Sequence, residues 1–262
     1  MQLAHRAALN GVQLDEIDPR IIIKGIEGAS GKETVTSVST GSGDGTRITG
    51  KRRDSVEVGV RFSMNIRRDA MEERMAVLEA INAWAVKGGW LTISYKPGRR
   101  LWVDEILTPG EGDLWKRFTE YTITFRAHAV PYWQQENAAT GSTGTGTTGS
   151  GNINIEGSAK TVADCVLQNM SGAVISSATI TIGGKSMSFS ELNLGNGQSL
   201  TIDHVITKGK NVIRIRIGET SILARRSEES ADEFEVAPGA VNFSFSAQRA
   251  CRLTVSCRGR FV

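Results

Sequence analysis

A chain of 262 residues is longer than one small core requires and suits two domains. Its hydrophobic content of 39% is enough to build packed cores, which excludes disorder as the default expectation. The chain has 31 basic and 28 acidic residues, which gives a formal charge of +3, and both kinds are spread over both halves. Because neither half is strongly basic, the composition excludes a protein that binds nucleic acid through a high positive charge. Because no apolar run reaches membrane-spanning length and residues 1–6 do not begin a signal peptide, we expect no membrane insertion and a cytoplasmic start.

Two segments near the start of the chain predict a long hairpin. Residues 20–28 and 33–40 are typical of strands, and the glycine-rich stretch 41–45 follows as a turn. An isolated hairpin is poorly stable in water, so this one requires a neighbour to pack on. The candidate contact residues of this hairpin are Gly43, Asp44, Arg47, Lys51, Arg52 and Arg53.

The next region predicts a strand and then a helix. Apolar and polar residues alternate over 56–66, which indicates a strand with one apolar face. Apolar residues then recur at steps of three and four from Met71 to Ala85, which indicates a helix. Asp69 is the expected N-cap of this helix, and the glycines at 88–89 are the expected stop. Further short strands follow, so the first domain is predicted to be mainly β with one helix packed on it.

Residues 138–151 contain little besides alanine, glycine, threonine and serine. Such a segment has no apolar side chains to bury, and it predicts a flexible linker between domains at 1–137 and 152–262. After it, short alternating segments separated by glycine-containing turns predict a β-sandwich.

A search for chemistry finds no catalytic, metal-binding or cofactor-binding constellation in the sequence. The three histidines are scattered, and neither a nucleophile elbow, a zinc-protease motif nor a phosphate-binding loop is present. Asp104 and Glu105 are adjacent on a predicted strand, so they point to opposite faces and do not form an acid/base pair. We interpret the three cysteines as buried free thiols, at positions Cys165, Cys251 and Cys257. The chain is therefore not expected to be an enzyme.

The order of these features resembles the distal tail proteins of long, non-contractile-tailed bacteriophages and prophages. In the first half, the resemblance rests on the strand 58–64, the helix, the restart at 91–93 and the strand-to-Pro-aromatic ending at 125–133. In the second half it rests on 199–203, which ends in Ile-Asp, and on 234–242, which contains a Pro-Gly turn. Together these segments extend over nearly the whole chain.

The resemblance implies a tail-tube-like β-sandwich with one α-helix and a hairpin arm, followed by a galectin-like β-sandwich. It also implies a structural protein that forms a homo-hexameric ring, or two such rings back to back as a dodecamer, between the tail tube and the baseplate or tail tip. The second domain would be the attachment platform for hub or receptor-binding proteins. The six candidate residues of the hairpin would then belong to the ring interface or to the channel. DNA would only pass through the channel, and the protein would be assembled in the host cytoplasm and end at the virion tail tip.

Two other functions stay open from the sequence. The second domain is compatible with a carbohydrate-binding, lectin-like adhesion module, although it contains neither Trp nor Tyr for a sugar platform. The first domain is compatible with a tail-tube initiator subunit, although the large second domain argues against a plain tube protein.

Overall fold

A computed structural model describes residues 5–39, 46–67, 69–114, 120–207 and 210–262. The chain divides into two compact units, Met1–Trp133 with Val262 and Gln134–Phe261. The fold is mainly β with one major helix and a long hairpin, which confirms the predicted fold class.

The first unit is built on two antiparallel sheets. In chain order its elements are β1 (Ala7–Leu9), β2 (Val12–Gln13), α1 (Leu14–Ile17), β3 (Ile21–Ser39), β4 (Thr46–Met64), α2 (Met71–Ala85), β5 (Gly89–Ile93), β6 (Arg99–Val103), β7 (Glu105–Leu107), α3 (Glu111–Leu114) and β8 (Glu120–Ala127). One sheet has the order β3-β4-β8-β7, and the other has the order β2-β1-β5-β6 within this unit.

The core of the first unit follows from the alternation in β4. Val58, Val60 and Phe62 are fully buried, and they lie opposite the buried residues Phe125 and Ile123 and the nearly buried Tyr121 of β8, respectively. Helix α2 adds apolar side chains at helical spacing to the buried residues of the unit. The predicted strand and helix are therefore both confirmed.

Helix α2 begins one residue later than its predicted cap requires. Its N-cap is Ala70, which makes no side-chain capping bond. Asp69 instead pairs with Arg67, at 3.3 Å between carboxylate and guanidinium. The prediction of Asp69 as N-cap is wrong because the residue before the first helical turn is Ala70, whose methyl group cannot accept a hydrogen bond.

The second unit is a larger antiparallel assembly centred on one long strand. Its elements, of which the first begins at the boundary between the units, are β9 (Trp133–Gln135), β10 (Ala139–Ser142), β11 (Gly146–Ile155), β12 (Thr161–Asn169), β13 (Ala178–Ile182), β14 (Lys185–Phe189), β15 (Ser199–Thr207), β16 (Lys210–Ile217), β17 (Thr220–Ser221), a 3₁₀ turn (Leu223–Arg225), β18 (Glu235–Val236), β19 (Gly239–Cys257) and β20 (Arg260–Phe261). Strand β19 pairs with β13 and β12 in successive segments, and with β11 and β10 as well. The sheet has the order β14-β13-β19-β12-β15-β16-β17, and its core includes all three cysteines.

The segment predicted as a linker is part of this sheet. Strands β10 and β11 pair with β19 from Ala139↔Cys257 to Ile155↔Gly239. Gly151 lies opposite Phe243, and a Cβ atom on this glycine would come within 2.5 Å of the phenyl ring. The prediction of a flexible linker at 138–151 is wrong because phenylalanine rings from β19 occupy the space above the glycines and supply the apolar surface that the segment lacks.

Candidate assembly surface

The paired strands β3 and β4 extend beyond the rest of their sheet. Their ladder runs from Ile21↔Met64 to Ser39↔Thr46. Strand β8 pairs only with the Val56–Ser63 portion of β4. Residues 33–39 and 46–53, here called the arm, therefore have only each other as strand partners in the part of the chain that the structure describes.

The arm exposes apolar side chains that a solvated hairpin would not require. Val35, Val38 and Ile48 are 46%, 56% and 55% exposed. A two-stranded ribbon without a packed face is marginally stable by itself. The arm is therefore suited to pack against a surface of another molecule.

The predicted interface residues divide into three groups. Gly43 and Asp44 lie outside the described residues. Arg47 is exposed on the arm opposite Val38, and the backbones of Lys51 and Arg52 belong to β4 opposite Val35 and Thr34. Arg53 lies at the root of the arm, where its guanidinium carbon is 5.2 Å from the centre of the Tyr132 ring. That these six residues form an interface or line a channel stays a prediction.

The root of the arm contains an irregularity that the sequence analysis missed. The register of β3 against β4 shifts between Gly28 and Gly31, and Gly28 and Ala29 both have positive φ angles, of 80° and 69°. A side chain on Gly28 would collide with the carbonyl oxygen of Glu57. The buried indole of Trp133 donates a hydrogen bond of 3.0 Å to the carbonyl oxygen of Ala29. Gly28 and Gly31 could have predicted this bulge from the sequence, because an isolated glycine inside a strand pattern often marks one.

Ion pairs cover the outer face of the β3-β4-β8-β7 sheet. Arg61 on β4 contacts Glu27 at 2.7 Å and Glu120 at 3.7 Å. Arg126 on β8 contacts Glu57 at 2.9 Å and Glu105 at 3.4 Å. These pairs are solvent-exposed, so they contribute little to stability.

Asp104 and Glu105 have separate structural contacts rather than a shared site. The carboxylate of Asp104 accepts hydrogen bonds from the backbone N–H groups of His128 and Ala129. Glu105 contacts the ring of His128 at 3.0 Å. The pKa of Glu105 is lowered, chiefly by its hydrogen bond with His128 and to a smaller extent by its hydrogen bond with Arg126.

His204 and the cysteines are buried side chains. His204 is nearly buried between two carboxylates, with 2.8 Å from its Nδ1 to Asp164 and 3.8 Å from its Nε2 to Glu233. The thiols of Cys251 and Cys257 are buried, and desolvation raises the pKa of each to about 11. Among the described residues, no cluster of three or more His, Cys, Asp or Glu side chains is arranged to hold a metal ion. The described helices are all too short or too polar to cross a membrane.

Comparison with solved structures identifies the fold over its full length. The crystal structure of SPP1 Dit (gp 19.1), described as a paradigm of the hub adsorption apparatus in phages that infect Gram-positive bacteria, matches with a TM-score of 0.70 and 14% identity. The match covers 98% of this chain and 99% of that one. Neither a protein-family model nor a curated protein sequence matches the chain.

Chains of the phage P2 baseplate in its activated conformation match as well. The calcium form gives a TM-score of 0.54 at 8% identity, covering 98% of this chain and 99% of that one. The strontium form gives 0.53 at 7% identity, covering 97% of each chain. The chain therefore has the fold of these phage hub and baseplate proteins, as its resemblance to distal tail proteins predicted.

Proposed function

We propose that this protein is a non-enzymatic distal tail protein that forms a ring between the tail tube and the baseplate of a phage tail. The observation that carries the proposal is the full-length likeness to the SPP1 hub protein, which includes both units. Fold likeness alone does not establish function, so the surfaces of the chain must also suit assembly.

Two features of the first unit support ring closure. The exposed apolar side chains of the arm need a partner surface, and β3 and β7 are the two edge strands of their sheet. Contacts between different surfaces of neighbouring copies are heterologous, and they close into a ring when the rotation permits. A homo-hexamer, single or stacked back to back as a dodecamer, is the assembly that we propose.

The outer face of the β3-β4-β8-β7 sheet suits the wall of a DNA channel. Four glutamates share this face with two arginines, in the pairs made by Glu27, Glu57, Glu105, Glu120, Arg61 and Arg126. Arg61 and Arg126 are each paired with two carboxylates, so these guanidinium groups are less available to a phosphate backbone, which favours passage of DNA without tight binding. The second unit would then be the attachment platform for tail-tip hub or receptor-binding proteins. Assembly would take place in the host cytoplasm, before the protein becomes part of the virion tail tip.

The native mass of the purified chain tests the proposal. Light scattering at micromolar concentration should give six or twelve copies. The double variant Val38→Asp and Ile48→Asp should give folded monomers with the circular dichroism spectrum of the wild-type chain, because both side chains are exposed in the single chain. Val174→Asp in the second unit is the matched control, since Val174 is 55% exposed, and it should leave the ring intact. A wild-type chain that is monomeric at every concentration, or an arm variant that still forms rings, would contradict the proposal.

A further inference from the structure

The outer face of one sheet region in the second unit is a continuous surface of neutral hydrogen-bonding side chains. Strands β14, β13, β19 and β11 lie side by side there. Their register aligns hydroxyl groups into two rows across the four strands, Ser186-Thr181-Ser244-Ser150 and Ser188-Thr179-Ser246-Thr148. Neighbouring strands that contribute to a row are roughly 4.8 Å apart, and the two rows are separated by roughly 7 Å along the strands, from the geometry of a pleated sheet.

A groove crosses this surface beside the first row. It has a volume of about 490 Å³, and Thr181, Ser150 and Ser244 line it together with the cross-strand pair Asn152↔Asn242. Backbone at Gly151 and Gly184 also borders the groove, and Phe243 lies beneath it as a buried residue. The volume lies within the range typical of small-ligand sites.

The polar side chains of the groove are available to a ligand. In the described parts of the chain, Ser150, Asn152, Asn242 and Ser244 make no side-chain hydrogen bond within the protein. Thr181 bonds only to Ser186 on β14, at 2.8 Å between the hydroxyl oxygens. Each hydroxyl group both donates and accepts, and each amide offers an acceptor oxygen and two donors.

This composition selects among ligand classes. Ser, Thr and Asn are the polar residues that line the groove, so it offers no cation to an anionic ligand and no carboxylate to a basic one. A ligand whose surface is covered with neutral hydroxyl groups would match the alternating donors and acceptors. We propose that this groove binds a neutral saccharide. The inference concerns the second unit only, and it does not require that the first unit form a ring.

Binding of defined oligosaccharides to the full chain tests the proposal. The neutral probes are maltotriose, cellotriose and N,N′,N″-triacetylchitotriose at millimolar concentration, and the anionic comparison is sialyllactose. We expect at least one neutral probe to shift the amide NMR signals of β11, β13 and β19. The double variant Asn242→Ala and Ser244→Ala should weaken this binding by about tenfold, since it removes hydrogen bonds to two ligand groups.

Two controls separate the groove from the rest of the surface. Ser246→Ala removes a hydroxyl from the same face of the same strand but outside the groove, and it should leave the affinity unchanged. Both variants should keep the wild-type melting temperature, because none of the three side chains is part of the core. The proposal is overturned if none of the neutral probes binds, if sialyllactose alone binds, or if the double variant binds like wild type. Each of these results leaves the ring proposal untouched, because the mass of the assembly is measured separately.

Discussion

Strand β4 of the first unit and strand β11 of the second unit reach the same local structure from opposite kinds of sequence. In β4, Val58, Val60 and Phe62 provide an apolar face, and the strand is buried through its own side chains. In the first part of β11, before the buried Ile153 and Ile155, Gly149 and Gly151 occupy the inward positions, and the apolar surface comes from Phe245 and Phe243 on the neighbouring strand. A strand can therefore be specified by alternating apolar residues of its own or by the side chains of its partner strand. Only the alternating apolar residues are visible in the strand's own sequence.

The largest expected effect is in β4 itself. Val60→Asp should unfold the first unit, because an unpaired carboxylate in the core costs several kcal/mol, against a total domain stability of about 5–15 kcal/mol. Arg61→Asp on the same strand should be much milder, since the Arg61 side chain is 43% exposed and points away from the core. Thermal unfolding followed by circular dichroism measures both changes. An equal loss of thermal stability in the two variants would contradict the placement of Val60 on the buried face of β4 and of Arg61 on its exposed face.

The next effect tests whether β11 depends on its partner. Phe243→Ala should destabilise the second unit by about 3–5 kcal/mol, since it opens a cavity and removes the ring that covers Gly151. Ser244→Ala, one residue along on the outer face, should change stability by less than about 0.5 kcal/mol. Hydrogen exchange adds a local measurement. In the wild-type chain the amides of 148–155 that bond to β19 should exchange slowly, and in Phe243→Ala they should exchange faster than those of β12. Rapid exchange of 148–155 in the wild-type chain would restore the interpretation of this segment as a linker.

The smallest effect at neutral pH concerns the cysteines, all of which lie in the second unit. Burial raises the pKa of the Cys251 and Cys257 thiols to about 11, so the folded chain should not react with a thiol reagent at pH 8. Because the folded pKa values lie above the ordinary value of 9.0, the native state binds more protons than the unfolded state between about pH 9 and pH 11. The stability that the protonated thiols contribute is complete below pH 9 and is lost as the pH rises towards 11.

Urea unfolding between pH 8 and pH 10.5 measures this decline. The variant Cys257→Ala should show a shallower decline than wild type, because it lacks one of the titrating groups. Lysine and tyrosine titrate in the same range in both chains, so the difference between the chains isolates the thiol. Rapid labelling of the folded wild-type chain at pH 8 would show that these cysteines are not buried as described.

The sequence by itself determined the features whose signal repeats locally. The alternation at 56–66 predicted β4, the spacing from Met71 to Ala85 predicted α2, and strand signals on both sides of 41–45 predicted the long hairpin. Each of these segments has its own apolar alternation or its own turn-forming residues in the sequence, so a short window of residues contains the physical reason for the prediction. The order of these segments along the chain also produced the resemblance to distal tail proteins, which the comparison of folds confirms.

Only the tertiary structure decided the features whose partners are distant in the sequence. Gly151 is a strand residue because Phe243 lies across it, and the root of the arm is fixed by a bond from Trp133 to Ala29. The saccharide groove that we propose takes its side chains from β11, β13 and β19, none of which forms a motif alone. In each case, residues tens of positions or more apart are brought together by strand register. A sequence window that contains only one of the partners therefore lacks the contact that sets the structure.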